Sequence, residues 1–237
     1  MKIRGVFETM RVKEGKVAYF DEHIARIIKS CRFFKINLLC SRAKLRKLVQ
    51  SAIEKSHFKD ARLKVIISQL NRKTNIQIQL SKYTPYLPKK YREGFRVMVS
   101  PFRQRELKLS RHKTMIRLLY DLSLEEAKKK GCDDAIILNK SGHLAEASRS
   151  NIFFVKEGKL FTPSLACGCL EGITRKAVMN IAEKNKIKVC EGKFNLEDIV
   201  CADEAFLTNS LMGIMPIKRK CGPITKLLIK KYNCLLK

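Results

Sequence analysis

Glu146, in HLAEASRSNIFFV (143–155), stands between an apolar run and a polar turn, and a second apolar run follows at once. Facing inward it needs a cationic partner, because an unpaired buried carboxylate is costly. A protonated pyridine nitrogen is one such partner. As an exposed turn carboxylate it needs none, and taken alone Glu146 fits that plainer reading better. The segment CGCLEGITR (167–175) offers a second possibility. Gly172 opens a helix whose first residues are Ile173 and Thr174. Free backbone N–H groups, a hydroxyl and the positive end of the helix dipole then make a cup for an anion, and glycine lets a phosphate come close. The plainer reading is an ordinary helix start with a Thr near its cap. Lys113, in LSRHKTMIRLLYD (109–121), lies at a loop-to-helix junction between His112 and Thr114. With 50 Lys and Arg in the chain, a single lysine is more often surface than catalytic. Finally, TNS (208–210) breaks two apolar strands in EAFLTNSLMGIMPI (204–217), placing hydroxyls and an amide where strand ends meet, a frequent place for binding.

These groups must be positioned by the elements around them. Val6 to Val12 and Lys16 to Phe20 flank KEG, a hairpin signal. Asp21 then caps a helix with Ile24, Ile27, Ile28, Cys31 and Phe34 on one stripe, and Ser41 caps another with Leu45, Leu48, Val49, Ala52 and Ile53. Strands are expected at Leu63 to Ser68 and Asn75 to Leu80, joined by a polar turn. TPYLPKKYREG (84–94), with two prolines and a charge cluster, reads as an interdomain linker. Beyond it come a strand (95–100) and a helix from about Lys113 to Lys130. Short β runs follow at DAIILN, GHLAEA, NIFFV and KLFTP, then a helix from Gly172. A strand at Ile187 to Cys190, a helical NLEDIV, and strands EAFLTN and IMPI complete the order. The spacing predicts an α+β (mixed α/β) chain: a small α/β domain over 1–83, a linker over 84–94, and a larger barrel-like domain over 95–237 ending in a basic tail.

Composition narrows the function classes. At 45% hydrophobic residues the 237-residue chain has enough apolar side chain for a core, and no apolar run approaches the roughly 18 residues of a membrane span. MKIRGVFETM has no apolar signal-peptide core, so a cytoplasmic protein without a membrane partner is expected. The nine cysteines show no CxxC and no repeated spacing, which favours reduced thiols over a metal site; no metal is expected. Fifty basic against 22 acidic residues give a formal charge of +28, which attracts phosphates and acidic partners. The excess is spread along the chain without RNP-like, helix-turn-helix or finger patterns, so nucleic-acid binding on a vestigial enzyme fold stays a remote alternative.

Taken in order, the motifs are more specific than any one of them. They are H-x-x-R at His23 to Arg26, HKT at 112–114, DDAIILN at 133–139 and LAEASRSNIF at 144–153. LFTP at 160–163, EGITR at 171–175 and ADEAFLTNS at 202–210 complete the set. With these the chain resembles the class IV, fold-type IV pyridoxal-phosphate enzymes, which include branched-chain and D-amino-acid aminotransferases and 4-amino-4-deoxychorismate lyase. The resemblance implies a two-domain homodimer that binds pyridoxal 5'-phosphate in the cleft between its domains. It implies that Lys113 bonds to the cofactor as a Schiff base and moves the proton at the substrate α-position, and that Glu146 pairs with the pyridine nitrogen. It further implies that Arg26, the N–H of Ile173, Thr174 and Ser210 hold the phosphate. TNSLMGIMPI looks like the lyase group, with Asn209, Leu211 and Met212 near the substrate, whereas the aminotransferases tend towards T-A-A-E. Branched-chain transaminases usually place a Tyr five residues after the lysine, where this chain has Leu118. The expected reaction is loss of pyruvate from 4-amino-4-deoxychorismate to give 4-aminobenzoate for folate synthesis. Amino transfer from a branched-chain or D-amino acid to a 2-oxo acid is the alternative.

Overall fold

The computed structural model describes residues 4–71, 73–105 and 108–236. Residue 72, in the expected turn at 69–74, lies outside the described residues. The chain divides into two compact units.

The first unit runs to residue 85 and takes in residues 112–116. Its elements are β1 (Arg4–Lys13), β2 (Lys16–Val17), α1 (Phe20–Phe33), α2 (Arg42–Ser56), β3 (Ala61–Leu70) and β4 (Lys73–Lys82). The strands form an antiparallel sheet in the order β2-β1-β3-β4. The strand expected over 16–20 stops after two residues, because Tyr19 takes a left-handed conformation and turns the chain into α1. Ser41 caps α2 as its sequence predicts, its hydroxyl accepting from the Lys44 N–H at 3.2 Å. Alternation along β1 and β3 sends Val6, Met10, Val12, Leu63, Val65 and Ile67 to one face. There they pack with Ile24, Ile27 and Cys31 of α1 and Leu45, Val49 and Ile53 of α2. Each large side chain so buried contributes roughly 1.5–3 kcal/mol.

One element differs from expectation where it matters most. The helix expected from Lys113 starts only at Leu118. Residues 113–115 instead lie alongside β1: the Phe7 N–H donates to the Lys113 carbonyl at 2.9 Å, and the Met115 N–H donates to the Gly5 carbonyl at 3.1 Å. Val6 and Thr114 form an antiparallel bridge. Backbone groups engaged sideways in this way are lost to a helix, so the helical turn waits until the chain has left β1.

The second unit holds residues 86–111 and 117 onward. Its elements are α3 (Pro88–Glu93), β5 (Val97–Gln104), α4 (Leu118–Lys129), β6 (Asp134–Asn139), β7 (Leu144–Ala147), β8 (Asn151–Lys156) and β9 (Lys159–Pro163). They continue with α5 (Ile173–Lys184), β10 (Val189–Gly192), α6 (Leu196–Val200), β11 (Glu204–Asn209), β12 (Gly213–Pro216) and α7 (Pro223–Leu235). One sheet has the order β10-β9-β8-β11-β12 and a second β5-β6-β7. Strands β6, β7 and β8 are buried along their length apart from Lys156, which accounts for their unbroken apolar runs. The stretch read as a linker contains α3, and the stretch read as a basic tail contains α7, with Leu228 and Tyr232 buried. Its lysines had masked a helical period.

The turn between β7 and β8 is pinned from below. Asp134 is buried, and burial pushes its carboxyl above the usual range. It accepts from the backbone N–H of Ala135 and Ser148 and from the Ser148 hydroxyl. That bracket fixes Glu146 and Asn151 on either side of the turn.

Candidate active site

In the first unit the extended path of 112–116 sets Lys113 beside β1. Its Nζ lies 5.1 Å from the centre of the Phe7 ring, and the Nζ of Lys64 lies 4.7 Å from the same ring. An ammonium over an aromatic face is attracted by the ring quadrupole. The next residue of the strand, Glu8, points to the opposite face and is fully enclosed. Arg26 of α1 grips it with two hydrogen bonds, Nε to Oε1 at 2.7 Å and Nη2 to Oε2 at 2.6 Å. His23, one turn before Arg26, donates from Nδ1 to Oε2 at 2.7 Å. Burial pushes the Glu8 carboxyl up, but the Arg26 charge and the hydrogen bonds from His23 and Arg26 outweigh it and hold it at about 2. His23 is pushed below its usual 6.5 by burial, so it is a neutral donor at neutral pH. Glu8 thus sets the direction of the Arg26 guanidinium.

This cluster carries a prediction. A carboxyl held below its unfolded value of 4.5 stabilises the fold above that pH, and the stabilisation is lost as pH falls from 4.5 towards 2. His23 acts in the same sense below about 6.5, because the unfolded chain takes up a proton that the folded one resists. Urea unfolding midpoints of the wild type should therefore fall through the acid range. Glu8→Gln, which removes the charge that a buried guanidinium faces, should lose about 3–5 kcal/mol at pH 7. It should also flatten the fall below 4.5. Equal stability of variant and wild type at pH 7 would rule this out.

In the second unit Glu146 faces inward, at 6% exposure. Its Oε1 accepts from the Tyr120 hydroxyl of α4 at 2.9 Å. Its Oε2 accepts from the Leu170 N–H at 3.1 Å and more weakly from Asn151 Nδ2 at 3.4 Å. Asn151 also donates to the Leu170 carbonyl at 2.9 Å, so the loop before α5 is tied to the same carboxylate. The plainer reading of Glu146, an exposed turn charge, does not hold.

The loop ends at the start of α5. Gly172 is its N-cap and no side chain caps the helix. A Cβ at 172 would stand 1.9 Å from the Asn151 amide oxygen, so any larger residue would push the Asn151 side chain from its place. Ile173 opens the helix, and Thr174 is buried with its Oγ1 3.4 Å from the Tyr232 hydroxyl. Helix dipole, N-terminal amides and hydroxyl together can receive an anion.

At the end of β11, the Asn209 amide ties two loops together. Its nitrogen donates to the Arg149 carbonyl and the Ser150 hydroxyl, both at 3.3 Å. Its oxygen accepts from the Leu211 and Met212 N–H groups at 3.0 and 2.9 Å. The contacts of Asn209 are those of a loop clasp. Ser210 and Leu211 are half-buried on the loop it shapes, while Met212 is buried. Sequence reasoning gave no role to Glu8, His23, Asn151 or Tyr120. Glu8 had a signal: it shares its strand parity with Val6, Met10 and Val12, so it had to be buried and paired. Tyr120 had none. Among the described residues no group of His, Cys, Asp and Glu is arranged to hold a metal, and no helix is long and apolar enough to cross a membrane.

The family model described as amino-transferase class IV matches residues 5–219. A protein of Aquifex aeolicus, provisionally named a branched-chain-amino-acid aminotransferase, is 31% identical over 241 residues, covering 91% of this chain and 76% of its own length. A crystal structure from Legionella pneumophila, provisionally named a 4-amino-4-deoxychorismate lyase, superposes with a TM-score of 0.91 at 25% identity, covering 98% of this chain and 91% of that one. The branched-chain amino acid aminotransferase of Escherichia coli superposes with a TM-score of 0.90 at 25% identity over 98% of this chain and 85% of that one.

Proposed function

We propose a function from one premise: the chain belongs to the class IV aminotransferase family and has its fold-type IV architecture. Enzymes of the family depend on pyridoxal 5'-phosphate, and the residues present fit that group. A buried carboxylate already supplied with hydrogen-bond donors suits a ring nitrogen that must stay protonated, because those donors favour the charged carboxylate. A helix start that no side chain caps, beside a buried threonine, suits a phosphate. In our reading the Ile173 N–H, Thr174, Ser210 and Arg26 hold the phosphate, Glu146 holds the proton at the ring nitrogen, and Lys113 provides the covalent attachment. When bound, the cofactor supplies a conjugated ring that takes up the electron pair left as a proton departs from the carbon bearing the substrate amine.

The reaction we propose is the lyase reaction. Lys113 Nζ takes the proton from the ring carbon that bears the amine of 4-amino-4-deoxychorismate, and a proton is delivered to the departing enolpyruvate. Pyruvate leaves and an aromatic amine remains, so the step is strongly downhill and needs no second amino-group acceptor. The observation that carries this reading is the loop after β11, where Asn209 clasps the backbone of Leu211 and Met212 and no acid occurs between 205 and 217. Leu118, five residues after Lys113 and 69% exposed, presents no hydroxyl where branched-chain transaminases usually have a tyrosine.

A second reading, an aminotransferase for branched-chain or D-amino acids, is favoured by the names of the relatives, which are for the most part branched-chain-amino-acid aminotransferases. A cytoplasmic homodimer acting on a small amino or 2-oxo acid completes the proposal; nucleic-acid binding is no part of it. The test is a pair of assays on the cofactor-loaded protein. The lyase releases pyruvate and 4-aminobenzoate in equal amounts with no 2-oxo acid added. Transfer from leucine or D-alanine to 2-oxoglutarate, without pyruvate-linked aromatic product, would reverse the choice.

A further inference from the structure

Tyr120 lies on the first turns of α4 with its hydroxyl in a chain of hydrogen bonds. Gln104 Nε2, at the end of β5, donates to it at 2.9 Å, and it donates to Glu146 Oε1 at 2.9 Å. With the amide proton arriving from Gln104, the phenol proton is directed to the carboxylate, which when ionised only accepts. The Arg117 guanidinium lies 5.0 Å from the centre of the Tyr120 ring and donates to the Ser148 carbonyl at 3.0 Å, so it spans from the phenol to the turn that follows Glu146. On the other side of the carboxylate, the loop before α5 contributes the Leu170 N–H and the buried Cys169 thiol. That thiol is pushed up to about 12 by burial and by the charge of Glu146, and stays neutral. Burial and the same charge also push the Tyr120 hydroxyl above its usual 10, so it keeps its proton throughout the working range.

We propose that Tyr120 is a positioning residue for Glu146: its hydroxyl fixes the plane of the buried carboxylate and favours its charged form, and so sets how firmly the site holds a proton on a ring nitrogen. This rests on the function proposed above for Glu146. A phenol serves better here than an ammonium or a guanidinium. It donates a strong hydrogen bond without neutralising the carboxylate's charge, which is then spent on the cation it must pair with.

The test uses Tyr120→Phe, which keeps the ring and removes only the donor, and Gln104→Leu, which removes the group that directs the phenol proton. In the apoprotein, carbon-13 signals of glutamate carboxyls, assigned by comparison with Glu146→Gln, follow the Glu146 titration directly. Tyr120→Phe is expected to move that titration upward by about one pH unit, roughly a tenfold change, with a smaller shift in the same direction for Gln104→Leu. In the cofactor-loaded protein, the absorbance of the protonated ring nitrogen is expected to weaken at constant pH, as the shared proton shifts from the nitrogen towards the more basic carboxylate. There kcat should fall about tenfold with KM within twofold, and the loss should not add to that of Glu146→Gln. A Glu146 titration in Tyr120→Phe superimposable on the wild type overturns the proposal. So does full additivity with Glu146→Gln. Failure of the wild type to take up pyridoxal phosphate would instead overturn the functional reading, while the apoprotein titration still decides the role of Tyr120.

Discussion

Turnover in a Lys113→Ala variant falls by at least about three orders of magnitude, because one side chain is asked to do two jobs. In the reaction proposed above it attaches the cofactor covalently and moves the proton on which the bond cleavage depends, and a methyl group does neither. The loss should register without kinetics as well. Borohydride treatment of the loaded wild type should fix the cofactor to a peptide containing Lys113, and in the variant the label should vanish. The fold should survive, since the bonds that hold this segment to β1 come from the backbone of Lys113 and Met115. A variant that turns over normally would remove Lys113 from the chemistry and with it the reaction proposed here.

The second large effect belongs to Glu146→Gln. The amide has nearly the shape of the carboxylate but carries no charge, and it turns an NH2 group towards a site where Tyr120 and Leu170 both present donors. The ring nitrogen would then lose its proton readily and the ring would accept electrons poorly. We expect a fall in kcat of about 10²- to 10³-fold, the range seen when one strong electrostatic contact to developing charge is removed. Retention of the cofactor on dialysis should change little, since the groups around the start of α5 are untouched. Full activity in this variant would return Glu146 to a structural role.

Much of this was legible in the residues. The apolar stripes of α1 and α2, the cap at Ser41, the buried runs of β6 and β8 and the glycine before α5 all follow from local pattern. So does the inward position of Glu146, once the resemblance outweighed the plainer reading. What could not be read was set by partners distant in sequence. The path of Lys113 depends on backbone bonds to Gly5 and Phe7, more than a hundred residues earlier, and no local rule predicts that a segment rich in helix formers will stay extended. The burial of Leu228 and Tyr232 in α7 was hidden behind lysines, whose charge drew attention from the period beneath. Asn209 was expected near the substrate on the strength of its motif. Its four hydrogen bonds, to neighbouring backbone and to Ser150, make it a loop clasp as well, which a motif cannot reveal.

The route of residues 112–116 also sets a timetable for the chain as it is made. The first unit is discontinuous in sequence: its sheet and two helices are complete by residue 85, yet the strip that lies on β1 arrives only some thirty residues later. A nascent chain halted after β4 would carry α1 and α2 packed on their sheet, with the Gly5 carbonyl and the Phe7 N–H still exposed to water along β1. The lysine is therefore the last piece of the first unit to be laid down, and it cannot be installed before the chain has already entered the second. A fragment cut at residue 85 would be a unit with Lys113 missing, and supplying a peptide spanning 108–120 should protect the amide of Phe7 from hydrogen exchange.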